Sequence, residues 1–233
     1  MKKFLYTIIC VVLLTSCSDE IDLAGRGGTF EFLKDGFSGV SVQDGFELYL
    51  ISGDTSKIKI ESDESVINHV KYEIKNGILY FYKELGVQFP GSIQVKIHVT
   101  KKTLDALVIL SSKVQIVDTL RADEIHLVCS DKSSLTGRLE CEQLQAIISN
   151  STVELTGVAN IVETNIDNGS SVKTFGLATN NTKVNIAGGS YGEVTVNNEF
   201  NVTAKEKSIL HYKGTAIIRN LLADDDSVIK EIK

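Results

Sequence analysis

A serine recurs through the second half of the chain, at Ser112, Ser133, Ser151, Ser170, Ser190, Ser208 and Ser227, with gaps of 21, 18, 19, 20, 18 and 19 residues. Apolar residues keep step with it. Two places after the serine stand Val114, Leu135, Val153, Val172, Leu210 and Ile229, with Gly192 the one exception; four places before it stand Val108, Cys129, Ile147, Ile166, Ile186, Ala204 and Ala223. A fixed period of about 20 residues with in-phase apolar columns marks a solenoid of stacked rungs.

Around each serine the hydrophobicity alternates with the strand period. Val153 and Leu155 share one face, and Thr152, Glu154 and Thr156 the other. Asn150, Gly169 and Gly189 precede their serines, and these types tolerate a left-handed turn. Each rung is too short for a helix plus strands. The expected fold is therefore all-β, a single-stranded parallel β-helix, right-handed, with rungs of about 19 residues over 104–233. Ile147, Ile166 and Ile186 are expected to stack inside. Glu154, Lys173 and Glu193 are expected to be outer neighbours of alternating sign. A third column, eight places after the serine (Leu120, Cys141, Ala159, Ala178, Asn198, Ala216), is mostly small, as a narrow turning coil requires.

Residues 37–103 also alternate, as strands at 37–42, 46–51 and 57–60. A short helix is expected from Asp63 to Val70, capped by Ser62 or Asp63, and a hairpin turns at Asn76-Gly77. Ten of the sixteen Phe and Tyr lie between Phe30 and Phe89, and four lie after residue 100. Large rings suit a wider core, so the cross-section is expected to change near residue 100. This part is expected to pack on and close the N-terminal end of the coil, giving one continuous domain, 37–233.

Residues 1–16 read as a signal peptide: Lys2 and Lys3, then an apolar run from Phe4 to Leu14 too short for a permanent span. Leu14-Thr15-Ser16-Cys17 resembles the lipobox of bacterial lipoproteins, which implies lipidation of Cys17 and a stable membrane anchor. Ser18-Asp19-Glu20 resembles an export signal for the outer face of the outer membrane. Residues 17–36, with four glycines among polar residues, are expected to form a flexible tether. Without Lys2 and Lys3 the formal charge goes from −6 to −8. An acidic chain lacking a basic cluster argues against nucleic acid.

Cys129 and Cys141 stand where other rungs carry Val, Ile or Ala, and are expected to be free buried thiols rather than a disulfide. His69, His98, His126 and His211 lack metal-pair spacing. No nucleophile elbow or phosphate loop is present. No catalytic residue, metal or cofactor is assigned. Asp224-Asp225-Asp226 reads as a solvated turn, charge-paired with Lys205-Glu206-Lys207 one rung away.

Several local patterns recur in a known family. They are Phe37-Ser38-Gly39-Val40-Ser41-Val42, Asn76-Gly77-Ile78-Leu79, the serial Gly/Ser turns and Leu210-His211-Tyr212-Lys213-Gly214. From about Phe37 onward the chain resembles the auto-transporter adhesin, head GIN domain family. That resemblance implies a β-helical lipoprotein or secreted protein and carries over no catalytic residue. The expected function is a non-enzymatic surface adhesin or ligand-binding module on the outer membrane. Its partners would be the membrane, through the lipid anchor, and a surface glycan or a host or matrix protein. A polysaccharide-active enzyme and a structural spacer are the alternatives. Cys17→Ala should leave the protein soluble or uncleaved and free of acyl label; palmitate incorporation by the mutant would overturn the lipobox reading.

Overall fold

The computed structural model describes residues 19–233, so Cys17 and the signal segment lie outside the described residues. The N-terminal strands are β1 Asp19–Glu20, β2 Gly27–Leu33, β3 Gly39–Val42, β4 Glu47–Ser52 and β5 Lys57–Asp63, followed by helix α1 Glu64–Ile67. Next come β6 Val70–Lys75, β7 Ile78–Lys83, β8 Val87–Gln88, β9 Lys96–Lys101 and β10 Ala106–Leu110. The repeats supply β11 Lys113–Ser130, β12 Ser134–Ser149, β13 Thr152–Asp167, β14 Ser171–Ile186 and β15 Tyr191–Ala204, and the chain finishes with β16 Ile209–Lys213, β17 Ile217–Ala223 and β18 Val228–Glu231.

From β10 onward each strand pairs in parallel with its counterpart one rung on, the arrangement expected of a β-solenoid. The long strands bend part-way, where the register shifts between Glu154 and Thr156 and between Thr174 and Ala178. At one such bend Gly157 has φ +115, and a Cβ there would sit 2.0 Å from the Leu139 carbonyl oxygen, so only glycine fits.

The serines occupy the corners and are buried: Ser133, Ser170, Ser190 and Ser208 are 2 % exposed or less. They form a ladder along the coil. The backbone N–H of Ser112 donates to Ser133 Oγ (3.1 Å), Ser133 to Ser151 (3.2 Å), Ser151 to Ser170 (3.3 Å), Ser170 to Ser190 (3.2 Å), Ser190 to Ser208 (3.3 Å) and Ser208 to Ser227 (3.2 Å). The hydroxyls also donate within the corner, Ser170 Oγ to the Asp167 carbonyl at 2.5 Å. Ser112, at the start of the ladder, has a buried hydroxyl with no partner among the described residues.

The apolar column after the serine holds in register throughout, and so do Glu154, Lys173 and Glu193. The column before it needs correction in two rungs. The stack that includes Ile166 and Ile186 runs Ile109, Cys129, Ile148, Ile166, Ile186, Ala204. Ile147 points out and is 53 % exposed, and Val108 is half-buried. The cause is turn length. Corners such as Asp131-Lys132, Gly188-Gly189 and Glu206-Lys207 place two consecutive left-handed residues before the serine, whereas Ser111 and Asn150 each serve alone. One residue fewer moves the inward position from four to three places upstream. The small column is likewise not one stack: Leu120 faces Leu139, and Ala159 faces Cys141 and Thr179.

The N-terminal part contributes rungs of its own. β3 pairs in parallel with β10 and with β7, and β4 with β11 and with β9. Phe46 and Val95 take the corner place: the Phe46 carbonyl accepts from Lys113 N–H, and Val95 accepts from Glu47 N–H, as Ser112 accepts from Ser134. The chain therefore begins one rung inside the coil, lays the outermost rung beneath it, and crosses over to continue upward. Phe46 and Phe81 are fully buried there; Phe200 is the large ring buried among the later rungs. Antiparallel strands close this end, β6 on β7, β5 on β9 and β2 on β5. Residues 27–33 are thus an edge strand inside the stretch expected to be a tether. The linker before them is tied down by Asp63, the N-cap of α1, whose carboxylate accepts from Ser65 Oγ and from the N–H groups of Ser65, Ala24 and Gly25.

Two sets of substitutions test this packing. Ile166→Asp and Ile148→Asp each bury an unpaired carboxylate and should cost several kcal/mol by denaturant unfolding. Ile147→Asp and Lys173→Asp, on the outside, should cost about 1 kcal/mol or less; comparable losses would refute the register. Ser170→Ala strands the buried Ser151 N–H and should cost about 1–3 kcal/mol. Ser112→Ala removes only an unpartnered hydroxyl and should be neutral or stabilising.

Candidate binding face

The residues one and three places after the corner point outward and form two columns across the rungs. One runs Glu47, Lys113, Ser134, Thr152, Ser171, Tyr191; the other runs Tyr49, Gln115, Thr136, Glu154, Lys173, Glu193. Strand backbone spaces successive rungs at about 4.8 Å, so the five steps from Tyr49 to the Tyr191 rung cover about 24 Å.

A tyrosine–histidine pair bounds each end. Tyr49 stacks on His98 of β9, centroids 4.9 Å apart and planes 15° apart. Its hydroxyl donates to Glu47 Oε2 at 3.2 Å, and burial, followed by Glu47, raises its pKa. His98 Nε2 lies 2.7 Å from Glu61 Oε2, and Lys59 lies 2.6 Å from the other oxygen of that carboxylate; Lys59 foremost lowers the Glu61 pKa. At the far end Tyr191 meets His211 edge to face, and its hydroxyl lies 3.2 Å from His211 Nδ1. That hydroxyl donates to Glu193 Oε1 at 2.6 Å, and this bond, with burial behind it, pushes the phenol up to about 12.

A shallow groove at the Tyr49 end is lined by Glu47, Tyr49, Lys113, Gln115, Ser134 and Thr136, and from it the two outward columns run on through Thr152, Glu154, Ser171 and Lys173 to Tyr191. The hydroxyls of Ser134, Thr136, Thr152 and Ser171 make no protein hydrogen bond among the described residues. On the outer side of the following wall the polar groups instead bridge rung to rung. Asn185 donates to Asn165 (2.9 Å), Asn180 to Asn160 (2.7 Å) and Lys183 to Glu163 (2.5 Å). One wall is thus cross-linked, whereas on the other Lys113 reaches Glu47 across one step at 3.7 Å and the four hydroxyls between the tyrosines stay free.

A second recess holds Asp105, Arg121, Asp123, Glu140, Cys141 and Glu142. Its Glu140 is paired with Arg121 and Arg138, each at 3.1 Å. Cys129 and Cys141 are free; Cys129 is buried and Cys141 half-buried, and burial pushes both thiols up to about 11. Among the described residues no group of three or more His, Cys, Asp or Glu could hold a metal ion, and no helix is long and apolar enough to cross a membrane. The Asp224 turn contacts its neighbour rung through the backbone: Asp224 Oδ2 accepts from the Glu206 N–H at 2.6 Å, in place of the expected charge pairing.

The sequence weighed His98 and His211 only as metal ligands and gave Tyr49 and Tyr191 no role. Tyr49 lies three places after Phe46, the same offset that sets Gln115 three after Ser112, so the column extends into a rung that has no serine to mark it.

A family model described as "Putative auto-transporter adhesin, head GIN domain" matches residues 36–216. The fold is shared with a putative adhesin from Bacteroides fragilis (TM-score 0.85, 16 % identity, covering 91 % of this chain and 100 % of that one). It is shared also with a putative adhesin from Parabacteroides distasonis (0.71, 17 %, 92 % and 100 %) and with a protein from the same organism described as a putative lipid binding protein (0.65, 15 %, 92 % and 100 %). No curated protein matches the chain.

Proposed function

Because the chain belongs to the family of putative auto-transporter adhesins with a head GIN domain, we propose that it is a non-enzymatic envelope adhesin that holds an extended glycan along the outward columns between Tyr49 and Tyr191. The observation that carries this reading is the free hydroxyl lining of Ser134, Thr136, Thr152 and Ser171 between two tyrosine–histidine pairs. Hydroxyls both donate and accept, which suits a ligand made of hydroxyls. Tyrosine rings offer an apolar face beside a polar tip, which suits the C–H face of a sugar ring. A ligand laid across the rungs meets the same spacing at each step, so affinity can accumulate along its length. Cys17 is the proposed lipid anchor, with the outer membrane surface as its location.

The acidic recess is what favours the rival reading of a polysaccharide-active enzyme, since it sets carboxylates beside an arginine on the outer surface. Its Glu140 is already neutralised by two arginines.

The test is titration of protein expressed from Ser18 onward, which retains every residue of the described fold, against neutral oligosaccharides of increasing length. Affinity should rise with length, and Tyr49→Ala and Tyr191→Ala should each weaken binding about tenfold while unfolding as the parent does. Equal binding by parent and variants would refute the groove, and shortening of the oligosaccharide would favour the enzyme.

A further inference from the structure

The wall that precedes the serine corner changes character along the coil. In its later rungs the outward polar groups bridge, Asn185 to Asn165 and Lys183 to Glu163. Toward the N-terminal part the same columns turn apolar. The column of Asn165 continues through Ile147, Val128, Val108 and Ser41 to Tyr80, with Glu73 of β6 beyond it. The flanking columns carry Ala106 and Ile78 on one side and Leu110 and Tyr82 on the other. Their inward chain neighbours Leu79, Phe81, Leu107 and Ile109 are 1 % exposed or less, so the outward set is a second apolar layer on the far side of the same sheet. Parallel sheet is ordinarily covered on both faces. Here the main contacts of β7, β3 and β10 are with their sheet neighbours.

We propose that a second copy of this chain covers this face, the two walls packing sheet on sheet about a two-fold axis that runs along β10. Shape and charge both point to this occupant. The axis lays β7 over β12 and β3 over β11 of the other copy. Val108 then meets Val108, and Tyr80 meets Ile147. Ser41, which lies low between Tyr80 and Val108 at 2 % exposed, faces the taller Val128.

The same axis lays β6 over β13. Lys71 stands in the column of Tyr82 and Lys75 in that of Ile78; on β13 Asp167 and Glu163 occupy the matching columns. Lys71 is thus brought to Asp167, and Lys75 to Glu163. The Asp167 carboxylate has only the Asn168 amide as partner among the described residues, at 3.0 Å. An axis turned to lie along the coil would set Lys71 over Lys75 and Asp167 over Glu163, which like-charge repulsion disfavours. A face with opposite signs at its two ends, in matching columns, is complementary to itself, whereas a partner of one sign would leave half of it unmatched. Seven strands about 4.8 Å apart and five residues of about 3.3 Å each give roughly 550 Å² per copy. That lies in the lower range for a specific interface, so the pair should be reversible.

Sedimentation equilibrium of protein expressed from Ser18 onward tests this. The parent should show a concentration-dependent dimer. Ile147→Lys and Val108→Lys, at outward positions that leave the monomer's circular dichroism unchanged, should weaken it at least about tenfold. Lys71→Glu should weaken it, and Asp167→Lys added to it should restore it. A parent that stays monomeric at every concentration, a dimer indifferent to Ile147→Lys, or a double charge reversal that restores nothing would overturn the proposal. A monomeric parent that binds phosphatidylcholine vesicles, and loses them with Ile147→Lys, would overturn it too and give the face to a lipid surface.

Discussion

The fold depends on what happens to one backbone N–H per rung. At the corner the chain passes through one or two left-handed residues, and the strand ladder cannot reach the N–H of the residue that follows. In Ser170 and Ser190 the turn carbonyl three residues back shares that N–H, but in Ser112, Ser133 and Ser151 it has no such partner, and leaving it unpaired would cost about 1–3 kcal/mol. The hydroxyl of the next serine accepts it, and in Ser133 and Ser170 the same hydroxyl donates to a carbonyl three residues back. A serine is small enough to sit inside the corner, and its oxygen can donate and accept at once. Alanine would supply no acceptor, and a longer side chain would not fit a position nearly closed to water. The ladder fixes the corner of every rung against its neighbour, and the strand that follows inherits that alignment.

This explains how much of the fold the sequence made legible. Downstream of the serine the backbone is a strand, so an offset of two residues means the same thing in every rung, and Leu135, Val153 and Val172 fall where the period puts them. Upstream lies a turn of variable length. The adjacent Ile147 and Ile148 both satisfy an apolar column, and only the single left-handed Asn150 decides between them. The N-terminal rungs were hidden for a related reason. Phe46 and Val95 hold the corner with no serine, and a long excursion separates the two walls of the outermost rung, so no period survives there. The proposed binding face inherits that blindness, because half of its aromatic boundary sits on those unmarked rungs.

Inward columns are tightly constrained by stacking, whereas outward columns are constrained only by solubility and by their neighbours. Where an outward column serves the fold, its polar groups bridge rung to rung, as Asn165 with Asn185 and Glu199 with Arg219 do. Hydroxyls left free between Tyr49 and Tyr191 contribute nothing comparable to the coil, and a fold with a ready means of cross-linking does not need them there. On the proposed face a ligand would compete only with water for the hydroxyls of Ser134, Thr136, Thr152 and Ser171, and with Glu47 and Glu193 for the tyrosine hydroxyls.

The same reasoning separates the ends of the coil from its sides. A side wall is complete once its rungs stack, but an end rung always has one unpaired edge and one uncovered apolar layer. The N-terminal end resolves both by reversing strand direction, because antiparallel β5 and β6 pair with the last parallel strands and twist the edge out of register with any further rung. Toward the other end the described strands keep one direction: β17 runs parallel on β15 and β18 parallel on β16, so the apolar columns of Phe200 and Leu210 simply continue into Ile218 and Ile229.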